Sequence, residues 1–233
     1  MKLIVFSDIH GNNHSFNEFI KDLSFRKDEF TTLFLGDFIG YYYNPNEIID
    51  YCRQNAFVCV LGNHDQYFLD VVDGKIGIDE LIKKYGESYR LAINSISKEN
   101  LYFLRQLDKF KIIEFNNKRV YFCHGSPLDN LEGRIYPETD LSIFEKSIEG
   151  YDYVLTGQTH HKLYKIFKST VFLNPGSLGQ QRDGKGCSYM IIDLEKNLYD
   201  FRVVEYDIKR LEDEIDLYDM GWSKLKSVLR RKK

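Results

Sequence analysis

The sequence predicts an α/β fold built on parallel strands, with metal-ligand side chains gathered along one sheet edge. Two observations predict it. Six short apolar runs each stop abruptly at polar residues of metal-ligand type, and in the front half these runs alternate with segments of helical periodicity. Buried strands read as such runs, and open α/β sheets bind ligands where their strands end.

Leu3-Ile4-Val5-Phe6 is the first strand and runs into Ser7-Asp8-Ile9-His10-Gly11-Asn12. Phe16, Phe19, Ile20 and Leu23 then recur at helical spacing over 15–25. Leu33-Phe34-Leu35 meets Gly36-Asp37, and Asn44-Pro45-Asn46-Glu47 reads as a helix start. There Asn44 would cap, Pro45 would sit in the first turn where its missing N–H costs nothing, and Glu47 would follow three residues on. Ile48, Ile49 and Cys52 supply that helix's buried stripe, and Phe57-Val58-Cys59-Val60-Leu61 runs into Gly62-Asn63-His64-Asp65.

From about 66 to 107 the pattern turns helical. Leu81-Ile82, Tyr85, Tyr89 and Ala92-Ile93 lie at helical spacing, as do Leu101, Phe103-Leu104 and Leu107, so this segment could wall one side of a site. Strands over 111–115 and 119–124 flank Asn116-Asn117-Lys118 as a hairpin, and the second enters His124-Gly125. Phe144 and Ile148 suggest a further helix. Tyr153-Val154-Leu155 meets Thr156-Gly157-Gln158-Thr159-His160-His161, and Val171-Phe172-Leu173 meets Asn174-Pro175-Gly176-Ser177. Strands over 163–167, 187–194 and 198–204 complete the second half. From about 208 to 233 Leu211, Ile215, Tyr218, Leu225 and Leu229 mark a helical tail interrupted near Gly221. Residues 1–233 show no linker or repeat and read as one domain.

Composition narrows the function classes. A formal charge of -3 gives no strand-tracking surface for long nucleic acid. The basic run Arg230-Arg231-Lys232-Lys233 reads as a solvated end. No apolar stretch reaches the length of a membrane span, and the N-terminus lacks the features of a secretory signal. Cys52, Cys59, Cys123 and Cys187 are scattered, and Cys59 and Cys123 sit in apolar runs as small buried hydrophobes. The expectation is a soluble cytoplasmic protein; nothing sets its oligomeric state.

Of six histidines, five (His10, His64, His124, His160, His161) stand at or just past the end of an apolar run, beside Asp8, Asp37 and Asn63. Mixed imidazole and carboxylate donors suit manganese, iron, zinc or nickel rather than calcium or magnesium. The set exceeds the needs of one catalytic ion, so two divalent transition-metal ions are expected, manganese foremost. Two such ions can share and activate a hydroxide for in-line displacement at phosphorus.

At these residues the chain resembles the calcineurin-like metallophosphoesterases. Their motifs stand here in order as Asp8-Ile9-His10, Gly36-Asp37, Gly62-Asn63-His64-Asp65, His124-Gly125 and Gly157-Gln158-Thr159-His160. The similarity is greatest to small bacterial phosphodiesterase and diadenosine-polyphosphatase-like members, which carry Gly40-Tyr41 and Asn174-Pro175-Gly176-Ser177 through Arg182-Asp183-Gly184. The resemblance implies a four-layer αββα sandwich of two mixed sheets flanked by helices. It implies that Asp8, His10 and His160 hold one metal, that Asp37 bridges, and that Asn63 and His124 hold the second. His64 would stand by the leaving-group oxygen with Asp65 as its orienting neighbour. The family usually has histidine where this chain has Gln158, a second-metal position. Gln158 would ligate weakly, be replaced by water, or be replaced by His161.

Three substrate contacts are also expected: Asn12, which could instead cap the following helix; Arg182, with a fork suited to phosphate; and Tyr41, which could stack on a base. His14 reads as a surface residue, and Gly62, Gly125 and Gly157 as positions of backbone freedom. The expected activity is hydrolysis of a phosphodiester or phosphoanhydride bond in a small nucleotide-type substrate. The alternatives are a phosphoprotein or phosphomonoester phosphatase, and a scaffold that keeps the fold without turnover.

Overall fold

The structure, a computed structural model, describes residues 2–25, 29–115, 117–184 and 186–230. In the front half β1 (Lys2–Phe6), α1 (Asn13–Ser24), β2 (Phe30–Phe34), α2 (Pro45–Gln54) and β3 (Val58–Cys59) alternate as the spacing predicts. Four helices follow: α3 (Asn63–Val72), α4 (Ile78–Tyr85), α5 (Ser88–Ser95) and α6 (Lys98–Arg105). The rest comprises β4 (Phe110–Phe115), β5 (Lys118–Cys123), β6 (Tyr153–Leu155), β7 (Lys162–Phe167), β8 (Thr170–Pro175), β9 (Cys187–Asp193) and β10 (Leu198–Val204), then α7 (Ile208–Tyr218) and α8 (Ser223–Leu229).

The strands form two five-stranded sheets, ordered β10-β9-β1-β2-β3 and β4-β5-β6-β8-β7. In the first, β1, β2 and β3 run parallel while β9 and β10 are antiparallel. In the second, β5, β6 and β8 run parallel between antiparallel β4 and β7. Strand alternation sorts the apolar side chains into layers. Leu3, Val5 and Leu33 face Val120, Phe122, Leu155 and Leu173 between the sheets. Ile4, Phe6 and Phe34 point the other way onto Phe16 and Phe19 of α1 and Ile48, Ile49 and Cys52 of α2. The outer face of the second sheet, Tyr121, Cys123, Val154 and Phe172, packs on Leu141, Phe144 and Ile148. The fold is the four-layer sandwich.

Several local expectations are corrected. The segment with Phe144 and Ile148 is a 3-10 run, Leu141–Ile148, in which residues three apart, such as Leu141 and Phe144, fall on one side. Asn44 occupies the cap position of α2, but its side chain makes no capping bond and donates to the Glu214 carboxylate on α7. His14 lies partly exposed on α1, as expected, with its Nε2 3.0 Å from Glu214 Oε1. At the basic end Arg230 pairs through two nitrogens with Glu212 of α7. Residues 231–233 of that run, and Asn116 of the hairpin link, lie outside the described residues. All four cysteines are buried and unpaired.

Candidate metal centre

Five of the six parallel strands named above deliver polar residues to one rim. Asp8 and His10 follow β1, Asp37 follows β2, Asn63 and His64 follow β3, His124 follows β5, and Gln158 and His160 follow β6. Ligand atoms of Asp8, His10 and His160, of Asp8, Asp37 and His124, and of His10, Asp37 and His64 lie within 4.8 Å of one another in each group. Asp8, His10, Asp37, Gln158 and His160 all have positive φ, 50° to 68°. Such strain in non-glycine residues persists only where the surroundings impose it, and it concentrates at functional sites.

Three imidazoles are aimed by backbone carbonyls. Nδ1 of His10 donates to Ile39 O at 2.9 Å, that of His124 to Leu35 O at 2.8 Å, and that of His160 to Gln180 O at 2.6 Å. A carbonyl only accepts, so each ring presents Nε2 to the centre. Nε2 of His10 and of His160 face each other at 3.1 Å, and His160 Nε2 is 3.2 Å from Asp8 Oδ1. Each aspartate is pinned by one oxygen: Asp8 Oδ2 accepts from Gln158 N at 3.1 Å and Asp37 Oδ1 from His64 N at 2.9 Å. The other oxygens face inward. Among the described residues Asp8 Oδ1 is buried without a hydrogen-bond partner, and Asp37 Oδ2 lies 3.3 Å from His124 Nε2 and 3.6 Å from His10 Nε2. Converging donors with an orphaned carboxylate oxygen among them fit divalent cations.

The electrostatics agree. Burial would raise Asp8 and Asp37, but His160 and His124 hold Asp8, and His124 and His64 hold Asp37, below the usual carboxylate range. Burial pulls His124 down, yet Asp37 outweighs it and pushes the ring up to about 10. A divalent ion would take over that pair by displacing the Nε2 proton.

His64 lies beside this centre, its ring 4.9 Å from that of His10, and burial lowers it to about 4. Asp65 does not orient it. Asp65 instead accepts from the backbone N–H of Asp37, Ile39 and Gly62, at 2.9, 3.1 and 3.1 Å, tying the β2 loop to the start of α3. Burial, helped by the charge of Asp37, pushes Asp65 up to about 7. The group that meets His64 is the Tyr89 hydroxyl, 2.8 Å from Nδ1. Tyr41, Tyr67 and Tyr85 ring the same imidazole at 5.1, 5.7 and 4.5 Å between centroids. The segment 66–107 thus walls the site with α3, α4 and α5.

Two glycines make room. Gly40 has φ +96°, and a Cβ there would overlap His64 Nδ1. Gly62 has φ -95°, so its need is space rather than backbone freedom: a Cβ would overlap Asp37 Oδ1. Gly40→Ala is expected to destabilise the protein by about 1–3 kcal/mol, read from denaturant midpoints, and to shift His64.

On the second-metal side Asn63 Oδ1 lies 3.0 Å from His124 Nε2, while Asn63 Nδ2 is 3.4 Å from the Glu132 carboxylate, which also pairs with the Tyr67 hydroxyl. Glu132 thereby turns the amide oxygen of Asn63 inward. Gln158 Oε1 accepts from Arg134 Nε at 3.1 Å. His161 is in none of the groups of converging ligand atoms; its Nδ1 is held by Thr159 O at 2.6 Å and its ring lies against Tyr136.

Among the expected substrate contacts, Asn12 is a buried helix cap. Its Oδ1 accepts from Ser15 N at 3.1 Å and its Nδ2 donates to Gly179 O and Tyr206 Oη, which leaves no donor for a ligand. Tyr41 and Arg182 stand together at the rim, with Arg182 Nη2 3.2 Å from Tyr41 Oη and Tyr41 edge-on to His10 at 4.8 Å. Tyr89, Glu132 and Arg134 were not anticipated. Tyr89 belongs to a helical stripe that reads as packing, and the loop after His124 carries no motif.

A family model described as a calcineurin-like phosphoesterase superfamily domain matches residues 1–197. The chain is 31% identical over 231 residues to the uncharacterised protein MJ0912 of Methanocaldococcus jannaschii, with 91% of each chain covered. Among solved structures, hypothetical protein PH1004 from Pyrococcus horikoshii OT3 superposes with a TM-score of 0.82 at 23% identity, over 100% of this chain and 99% of that one. A metallophosphoesterase from Sphaerobacter thermophilus gives 0.79 at 22% identity over 98% of both. These two likenesses show a shared fold.

Proposed function

The chain belongs to the calcineurin-like phosphoesterase superfamily, and from that premise we propose that it is a binuclear metal-dependent hydrolase of phosphodiester or phosphoanhydride bonds in a small nucleotide-type substrate. The observation that carries this reading is the convergence of Asp8, Asp37 and three inward-facing Nε2 atoms on one point, with His64 at its edge. Asp8, His10 and His160 would hold the first metal with Asp37, and Asp37, Asn63 and His124 the second. When bound, the two ions would activate the attacking water and draw charge from the phosphoryl oxygens.

The chain's own residues do the rest. Tyr89 holds the His64 ring by Nδ1, which leaves the Nε2–H to donate a hydrogen bond to the leaving-group oxygen and stabilise the charge that develops there. Burial pushes the Tyr89 phenol well above its usual value, so it stays protonated and able to donate. Tyr41 and Tyr85, flanking His64, offer ring faces to a nucleobase, and Arg182 offers charge to a phosphate. Among the described residues no helix is long and apolar enough to cross a membrane. A cytoplasmic enzyme using manganese is the reading to test first.

The test is phosphate or nitrophenol release from diadenosine polyphosphates and bis-nitrophenyl phosphate by stripped protein reloaded with manganese. Inactivity with every divalent metal and a panel of esters would leave a binding protein. The second metal, with one imidazole and an amide, is expected to bind more weakly than the first. Calorimetric titration of stripped protein should resolve one tight and one looser equivalent, and Gln158→His should tighten the looser one. Two equally tight equivalents, unchanged in Gln158→His, would rule this out.

A further inference from the structure

The loop after His124 carries a cation that the metal centre does not use. Gly125 N donates to Asn130 O and Ser126 N to Asp129 O, each at 2.7 Å. Asp129 Oδ1 accepts from Leu131 N and Glu132 N, at 3.2 and 3.0 Å. Ile135, 1% exposed, plugs the end of the loop into the core behind the second sheet. Arg134 therefore projects from a fixed base, and its side chain is exposed.

Its Nε donates to Gln158 Oε1, and Gln158 N donates to Asp8 Oδ2, so the guanidinium is tied to the metal rim. Among the described residues neither terminal nitrogen of Arg134 has an acceptor. The partner's chemistry matters. A carboxylate at position 158 would neutralise the guanidinium, and an imidazole would turn to the metal. A neutral amide oxygen orients Nε and leaves the positive charge and the two-nitrogen edge for another ligand. Arg182 reaches the same rim by another route, its Nη2 3.2 Å from the hydroxyl of Tyr41, whose ring stands edge-on to His10, so both guanidinium groups border the metal centre.

We propose that Gln158 anchors Arg134 and is not a metal ligand, and that Arg134 grips phosphate oxygens of a substrate carrying more than one phosphoryl group, together with Arg182. This rests on the phosphoesterase reading above. It makes Arg134 a specificity-determining residue: a polyphosphate reaches both arginines, whereas a single phosphoryl group held at the metals does not need the second.

Manganese binding to stripped Gln158→Ala, Arg134→Ala and Arg134→Lys, followed by electron paramagnetic resonance, separates anchor from ligand. The expected result is two equivalents in every variant, with affinities within about twofold of the unchanged protein, because no ligand has been removed. In kinetics with diadenosine tetraphosphate, Gln158→Ala and Arg134→Ala should raise KM about 10- to 100-fold, as loss of a charge-assisted contact does, with kcat little changed. Arg134→Lys should recover part of the loss, and 4-nitrophenyl phosphate should barely register any of the changes. Loss or weakening of a manganese equivalent in Gln158→Ala, or an unchanged KM in Arg134→Ala, would overturn the proposal. If the unchanged protein hydrolyses no ester, the functional reading fails. The inference is then judged by calorimetric binding of inorganic triphosphate to the manganese-loaded protein, which Arg134→Ala must weaken.

Discussion

Alanine at His64 is expected to lower kcat about 10²- to 10⁴-fold, the span of assistance from a positioned donor, while both manganese equivalents stay bound. The ring lies within reach of His10 and Asp37 ligand atoms, so distance alone permits either a ligand or a leaving-group role. Its surroundings decide. The rings of His10, His124 and His160 are braced by backbone carbonyls and turn Nε2 to the centre, whereas His64 is braced by a phenol, Tyr89, and lies among Tyr41, Tyr67 and Tyr85. A histidine that assists departure should matter less when the leaving group departs unaided. The loss in His64→Ala should therefore be smaller for a nitrophenyl ester than for a dinucleoside polyphosphate. Tyr89→Phe, which frees Nδ1 without changing the ring's packing, is expected to cost roughly tenfold, the worth of one buried hydrogen bond. Loss of a manganese equivalent in His64→Ala would make His64 a ligand and remove this account.

The strand ends were legible because apolar runs stop sharply where the chain leaves a buried sheet. The layering was not legible from periodicity. In β1 both faces are apolar, Leu3 and Val5 on one and Ile4 and Phe6 on the other, and a strand buried on both sides does not say which face meets a sheet and which meets helices. That assignment needs pairings distant in sequence, such as Lys2 with Phe30 and with Asp193, and only the family resemblance supplied it beforehand.

Within the site, Asp8, His10, Asp37, Asn63, His124 and His160 are brought together as the motifs implied. The orienting residue was misplaced for a geometric reason. Asp65 follows His64 directly at the start of α3, and consecutive helical side chains diverge rather than face each other. The carboxylate therefore turns to the loop backbone, and the partner of His64 comes from α5, 25 residues away. Glu132 and Arg134 escaped notice because charged residues in a polar loop look like any solvated turn. Only the contacts to Asn63 and Gln158 distinguish them.

Asn in place of Asp37 is expected to abolish hydrolysis and remove the second manganese equivalent, and to weaken the first. Asp37 Oδ2 is the inward carboxylate oxygen that lies near ring nitrogens of both proposed ligand sets, 3.6 Å from His10 and 3.3 Å from His124. An amide keeps the shape and can still accept from His64 N through its oxygen, but it loses the charge that balances two cations. A readout free of metal follows from the same geometry. In stripped protein Asp37 raises His124 to about 10, above the usual histidine value near 6.5. The stability from this pair is therefore fully present below about pH 6.5 and lost as pH rises through about 10. In Asp37→Asn burial is opposed only by Asp8 and the Leu35 carbonyl, so His124 should lose its proton at lower pH and this alkaline loss should shrink. Imidazole resonances followed by NMR against pH, beside denaturant midpoints at pH 7 and pH 10, measure both effects. A His124 that titrates alike in both proteins would show that Asp37 does not govern it, and the shared carboxylate would lose its place between the two ligand sets.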